Sequence, residues 1–321
     1  MNKVILLGTA TALLATAPFA AANGPIDGKL YGKVNVSVVN SDSGSEDTWK
    51  LNSNASRIGL KGSTQVSEGL TVFYKTEFEV AVDDGSNDIK KYTVEIDETT
   101  SVEVKDTSTF KQRNIYAGVK GSFGSVLAGK NDTPTKLAQK KIDLFNDLEG
   151  DIKKTFAGEE RMSNIVAYTT PKYGNFSATY AVMPGEEDGG SLSDATSYSV
   201  NYSKGDLYVA VAGDSNVKGA DLLRVVSQYK VDAWQLGLMY QDNDTTDESG
   251  YFASAAYKID NITYKAQYGS NENDTDGSDK TTLSLGADFK LAKNTKSFVF
   301  FTDNEDSSST KTFGLGLEHK F

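Results

Sequence analysis

No residue among the 321 is a cysteine, which excludes disulfide stapling and thiolate chemistry. Histidine occurs once, as His319, two positions from the end. A hydrolase would need it as general base beside a nucleophile, so an outward interfacial side chain is the simpler reading, and no enzyme is expected. Beyond the first two dozen residues no apolar run is long enough to span a membrane as a helix. Basic residues are in deficit too: 33 Lys and Arg stand against 44 Asp and Glu, a net charge of −11. That balance argues against nucleic acid as a partner. Metal and nucleotide motifs fail on inspection. Glu272, Asp274, Asp276 and Gly277 imitate an EF-hand loop, but its twelfth position would fall on Leu283, which supplies no carboxylate. Gly124 to Lys130 imitates a phosphate-binding loop, yet Asn131 stands where Ser or Thr must be. No cofactor or metal is expected.

What is present points to a barrel. Mean hydropathy is −0.42, but 16 tyrosines, 15 phenylalanines and 29 glycines beside five prolines suit a strand-rich chain. Phe313, Leu315, Leu317, His319 and Phe321 alternate with Thr312, Gly314, Gly316, Glu318 and Lys320. A period of two marks a strand with one apolar and one polar face. It runs to the end of the chain, as it must if the last strand pairs with the first to leave no edge in lipid. At the other end, Met1-Asn2-Lys3, the apolar run Val4–Ala17 and Ala20-Ala21-Ala22 read as a secretory signal peptide over residues 1–22, with Asn23 as the new terminus.

The remaining 23–321 reads as one domain of about sixteen dyad-patterned runs. Trp234, Leu236, Leu238 and Tyr240 are expected outward, as are Phe176, Ala178, Tyr180, Val182 and Leu283, Leu285, Ala287, Phe289. Short turns such as Ser67-Glu-Gly69 and Lys172-Tyr-Gly-Asn175 alternate with long acidic loops such as Asp242–Glu248 and Asn271–Gly277. Register is left open near 206–231 and 295–303. The fold class is therefore all-β: a transmembrane 16-stranded antiparallel barrel. Residues 131–160 break the pattern. Lys136, Lys140, Ile142, Leu144, Phe145 and Leu148 have helical spacing behind Pro134, and Asp143, Asp147 and Asp151 recur every four residues.

Several segments, in this order, resemble the general diffusion porins of Gram-negative bacteria across essentially all of 23–321. They are Leu30-Tyr-Gly-Lys33, Ser56-Arg-Ile-Gly-Leu-Lys-Gly62, Arg113–Gly121 with Ser122–Gly129, and Arg161–Tyr168. The resemblance implies an outer-membrane homotrimer whose third loop folds inward to form a constriction. It implies contact with outer-membrane lipid and lipopolysaccharide, assistance from the barrel-assembly machinery, and passage of small hydrophilic solutes and ions. By the same resemblance the basic wall of the constriction falls on Lys33, Arg57, Lys111, Arg113 and Arg161. The facing acids fall on Asp143 and Asp147, with Asp151 structural. Strand alternation independently places Lys33, Arg57 and Arg113 on the polar face. Val34, Val36 and Tyr116 are the outward candidates for a subunit interface.

Two features depart from the family pattern. The second loop, 83–109, is long and strand-like, and the third carries Lys136, Lys140, Lys141, Lys153 and Lys154. Net charge points to a cation preference, these lysines oppose it, and the sign stays open, as do the permeants, the conductance and the role of the second loop. The alternatives are an oligosaccharide-specific porin lined by aromatics such as Tyr31, Phe73 and Phe252, and a structural or adhesive surface barrel.

Overall fold

A computed structural model describes residues 27–85, 88–95 and 101–321, so the expected signal peptide lies outside it. The chain begins with β1 (Asp27–Asp42), β2 (Asp47–Ser53), β3 (Arg57–Ser67) and β4 (Leu70–Val80). A hairpin of β5 (Asp88–Glu95) and β6 (Ser101–Ser108) follows, a separate two-stranded sheet within the long second loop. Then come β7 (Phe110–Gly121), β8 (Gly124–Asp132), the short helix α1 (Pro134–Ala138) and β9 (Arg161–Thr169). The rest is a meander: β10 (Phe176–Met183), β11 (Ala195–Lys204), β12 (Leu207–Val217), β13 (Ala220–Val231) and β14 (Trp234–Asn243). It ends with β15 (Glu248–Ile259), β16 (Ile262–Asn273), β17 (Asp279–Ala292), β18 (Thr295–Glu305) and β19 (Ser309–Lys320).

Every neighbour in the large sheet is antiparallel, and β19 pairs with β1 from Lys33↔Lys320 to Asp42↔Lys311. Both β2 and β3 pair with β1, so they are two halves of one broken strand and the closed barrel has sixteen staves. Closure reaches the final residue. Gly32 and Phe321 exchange both backbone hydrogen bonds, at 3.0 and 3.1 Å. The ring of Phe321 lies where a side chain on residue 32 would stand, which only glycine permits.

Alternation holds as expected on β14, where Trp234, Leu236, Leu238 and Tyr240 are exposed outward while Met239 and Gln241 are buried. On β19, Phe313, Leu315 and Leu317 face out and Thr312 and Glu318 face in. Outward Tyr180, Tyr198, Tyr229, Trp234, Tyr240, Tyr251 and Tyr264 provide amphipathic rings for the membrane–water boundary. The outward side of β1 and β3 instead carries Leu30, Val34, Val38, Ile58 and Leu60.

Tyr116 corrects the sequence reading. The ladder between β4 and β7 shifts register between Thr76 and Phe78, so Arg113 and Asn114 together oppose Glu77. The extra residue reverses the facing of every later side chain on β7. Tyr116 then lies opposite lumen-facing Lys75 and is itself on the lumen side.

The two rims differ. Among the described residues the long loops gather carboxylates, as in Glu186-Glu187-Asp188 and Asp242 to Asp247. The short turns mix acids with lysines such as Lys172, Lys204, Lys258, Lys290 and Lys293.

Candidate pore constriction

The third loop, residues 133–160, turns into the barrel because one side of it is apolar. Ile142, Ile152 and Phe156 are buried with Ala138 against Tyr208, Ala210, Val226, Met239 and Phe252 on the inner wall. Phe145 and Leu148 pack on Val39, Phe298 and Phe300. Such burial is worth roughly 1.5–3 kcal/mol per large side chain. The predicted helix begins as expected, with Thr133 as its cap and Pro134 in the first turn, but ends at Ala138. Lys140 and Asp147 adopt φ of 56° and 69°, which a continuing helix forbids. The helical spacing of the apolar residues instead records two contacts with the wall.

Polar contacts hold the loop at several points along its length. Thr135 donates to Asp214 at 2.6 Å, Tyr208 to the carbonyl of Ala138 at 2.9 Å, and Asn304 to the carbonyl of Glu149 at 2.9 Å. Leu144 N–H donates to Gln267 at 2.9 Å. Arg224, fully buried, is the strongest anchor: it donates to Glu159 at 2.7 Å, to the carbonyl of Ala157 at 2.6 Å and to Gln241 at 2.8 Å. Gly150 sits so close to Ser284 that any side chain there would collide with the wall.

Across from the loop, the broken strand positions the basic wall. Ala55, between β2 and β3, has φ of 49°. Asn54 donates to Ser37 at 2.9 Å, and the Ser56 hydroxyl accepts from Asn35 N–H at 2.9 Å, replacing the interrupted ladder. Arg57 follows at once. Its guanidinium donates to Asp147 at 2.7 Å, and Lys33 donates to the same carboxylate oxygen at 2.7 Å. Arg113 donates to Glu77 at 3.0 Å and also contacts Glu79. Glu77 further accepts from Tyr31 at 2.8 Å and pairs with Lys75 at 3.2 Å. Arg161 donates to Asn114 at 2.7 Å and pairs with Asp132 at 2.9 Å. Lys111 stands opposite Glu79 in the ladder and lines the same space.

The expected basic residues therefore gather around one region of the lumen, with Lys33 at its edge. The acids are arranged differently from the sequence expectation. Asp147 meets the wall directly. Asp143 borders the space but spends its oxygens on the loop's own amides, Phe145 N–H at 3.1 Å and Ile152 N–H at 3.2 Å. Its work is to hold the loop's shape. Glu77, Glu79 and Asp132, which the sequence reading did not select, supply the remaining counter-charges. The Lys75-x-Glu77-x-Glu79 alternation between outward Tyr74 and Phe78 was the available signal. Phe252 is buried against Phe156, at 6.4 Å between ring centres, so it is not available to guide a sugar.

Eight cationic and six acidic side chains line this cavity of about 490 Å³. The loop acids are not equivalent. Burial works against the charge of Asp147, but Lys33 and Arg57 overcome it and hold the carboxyl below the ordinary range. Burial, and then the charge of Asp151, push Asp143 up to about 8. The folded loop thus binds the Asp143 proton more tightly than an unfolded chain, whose aspartates ionise near roughly 3.9. That contribution to docking is complete below about 4 and is lost as pH rises through about 8. Single-channel records should show a wider, noisier channel at pH 9 than at pH 6. Asp143→Asn should flatten that difference; a profile identical to the parent's would rule out Asp143 as the titrating group.

A sequence profile of the Gram-negative porins matches residues 9–309. Outer membrane porin protein 32 of Delftia acidovorans is 24% identical, across 97% of this chain and 92% of that protein. Among solved structures, OmpF of Salmonella typhi in complex with daunomycin superposes with a TM-score of 0.71 at 16% identity, covering 92% of this chain and 97% of that one. A loop-deletion mutant of OmpT from Vibrio cholerae gives 0.68 at 19% identity, covering 93% and 100%. With a closed sixteen-stranded barrel, an inward loop and a charged lumen already established, the chain belongs to the Gram-negative porin family and is an outer-membrane channel for passive diffusion.

Proposed function

We propose that this channel is a general diffusion pore whose constriction favours anions. Lys33, Arg57, Lys111, Arg113 and Arg161 form its basic side, and Asp147 is the loop acid that faces them. The observation that carries the sign is the local excess of cationic side chains, eight to six, in a chain whose overall charge is −11. Burial and the neighbouring Asp151 favour the neutral form of Asp143, which adds to that excess. Charges beside a narrow aqueous path with low-dielectric walls outweigh distant ones on solvated loops. Reversal potentials in a potassium chloride gradient test the proposal: an anion-selective sign is expected at pH 7, and a cation-selective sign would refute it. Liposome swelling with graded sugars separates a general pore, with a smooth size cutoff, from a sugar-specific one. No catalytic role is proposed.

We infer a homotrimer, joined through the outward side of β1 and β3. That surface carries aliphatic residues, whereas the opposite wall carries the aromatic belt expected to meet lipid. A trimer form is named for OmpT of Vibrio cholerae. Unboiled electrophoresis should give a slow band that collapses on heating, and a monomer mass by light scattering in mild detergent would contradict the assignment. Cleavage after Ala22, contact with lipopolysaccharide and use of the barrel-assembly machinery belong to the same proposal.

A further inference from the structure

On the short-turn side of the constriction, the wall formed by β1, β3, β4, β7 and β8 lines a second, open recess of about 510 Å³. Lys29, Lys61, Lys75 and Lys120 line it together with Phe73 and Tyr116, and no carboxylate does among the residues whose side chains are described. Elsewhere in the lumen, cations such as Lys33, Arg57, Arg113, Arg161, Lys265 and Lys296 are tied to acids. Here Lys75 pairs with Glu77, but Lys29, Lys61 and Lys120 have no salt bridge among the described residues. Lys61 lies over the ring of Tyr31 at 5.1 Å from its centre, which keeps the ammonium near an aromatic surface.

The rings are also placed with purpose. Phe73 and Tyr116 meet edge to face, 6.2 Å apart at 76°. Gly118, opposite Phe73 in the ladder, has no Cβ, and one placed there would stand 2.5 Å from the Phe73 ring. Phe73 can therefore lie along the wall and keep an apolar surface toward the lumen. Unpaired ammonium groups around half-buried rings make up a surface with two distinct requirements: a negative group, and a flat apolar body beside it.

We propose that this wall is a binding subsite for small aromatic carboxylates on the periplasmic side of the constriction. The carboxylate contacts Lys61 and Lys120, and the ring packs on Phe73 and Tyr116. The subsite extends the channel reading but is tested separately from it. Reversal potentials in potassium chloride report the constriction, whereas a titration with an aromatic acid reports the subsite.

The purified protein in planar bilayers is titrated with sodium benzoate, and in parallel with sodium acetate, at constant low chloride. Benzoate is expected to reduce chloride conductance saturably, and acetate to do so only weakly. K61Q together with K120Q should raise the benzoate half-saturation concentration about fivefold, as expected for loss of two partly exposed charge contacts. F73L should raise it for benzoate while leaving the acetate response unchanged. Heat-modifiable migration confirms that each variant folds. Indistinguishable responses to benzoate and acetate, or an unchanged half-saturation in K61Q/K120Q, would overturn the proposal.

Discussion

Serine at both Arg57 and Arg113 is expected to cut the anion preference sharply and to raise the conductance. The pair contributes two of the eight cations at the constriction, so its loss removes most of the local excess over the lining acids. Glu77 and Glu79 lose the guanidinium they share, and Asp147 keeps only Lys33. A change of ~1 kcal/mol in the relative energy of an anion there, modest for two charges beside a low-dielectric wall, moves the permeability ratio by about fivefold. Reversal potentials should record that shift, and the sugar exclusion limit should rise because two long side chains have gone. Asp147→Asn should move selectivity in the opposite direction with little change in exclusion limit. Asp143→Asn should contribute little to selectivity at neutral pH, since burial and Asp151 favour the neutral form of that carboxyl and its oxygens are turned to the loop amides. An unaltered reversal potential in both the arginine and the Asp147 variants would remove these residues from the ion path.

Arg224→Met is expected to release the third loop without opening the barrel. The substitution keeps the bulk of the buried stem but leaves Glu159, itself buried, without its principal partner. Breaking a buried pair from one side costs about 3–5 kcal/mol, comparable with the burial of one or two of the loop's apolar side chains. The barrel ladders on either side, from β12 to β14, do not depend on this guanidinium for their backbone bonds. Folded, heat-modifiable protein should therefore be recovered, with a raised sugar exclusion limit, noisier currents and new cleavage by trypsin at Lys140, Lys141 or Lys153. Parent-like exclusion and protease resistance would show that the apolar contacts alone dock the loop.

The architecture was legible wherever one face of a strand meets lipid and the other meets water. Across β19 that contrast produces the strict alternation from which the strand and its facing can be read. The stretches left open, 206–231 and 295–303, are among those on which the third loop lies. There Tyr208, Ala210, Val226, Phe298 and Phe300 face inward to receive it, so both faces carry apolar residues and the period fades. Tyr116 was misplaced for a different reason. A bulge is set by the geometry opposite Glu77, and one inserted residue turns every later side chain to the other face. At the candidate constriction, the basic residues were selected through family resemblance and, for Lys33, Arg57 and Arg113, through strand polarity. The acids Glu77, Glu79 and Asp132 were missed because the resemblance pointed to the loop's Asp143 and Asp147, part of a run of acids at four-residue spacing. That spacing belongs instead to turns and to Asp143's hold on the loop backbone.

The unequal rims give the channel an electrical polarity. Carboxylates crowd the long-loop mouth, while lysines at the turns and along the Lys29, Lys61 and Lys120 wall make the other mouth the more basic one. Mobile anions are depleted at one entrance and concentrated at the other, so equal voltages of opposite sign draw on different reservoirs of carriers. Such a pore rectifies: it passes more current in one direction than in the other. The asymmetry belongs to dilute media, where fixed charges reach about 30 Å into solution, and fades in molar salt, where their reach shrinks to about 3 Å. A bacterium moving from brine to fresh water would thus carry an ohmic channel in the first setting and a diode in the second.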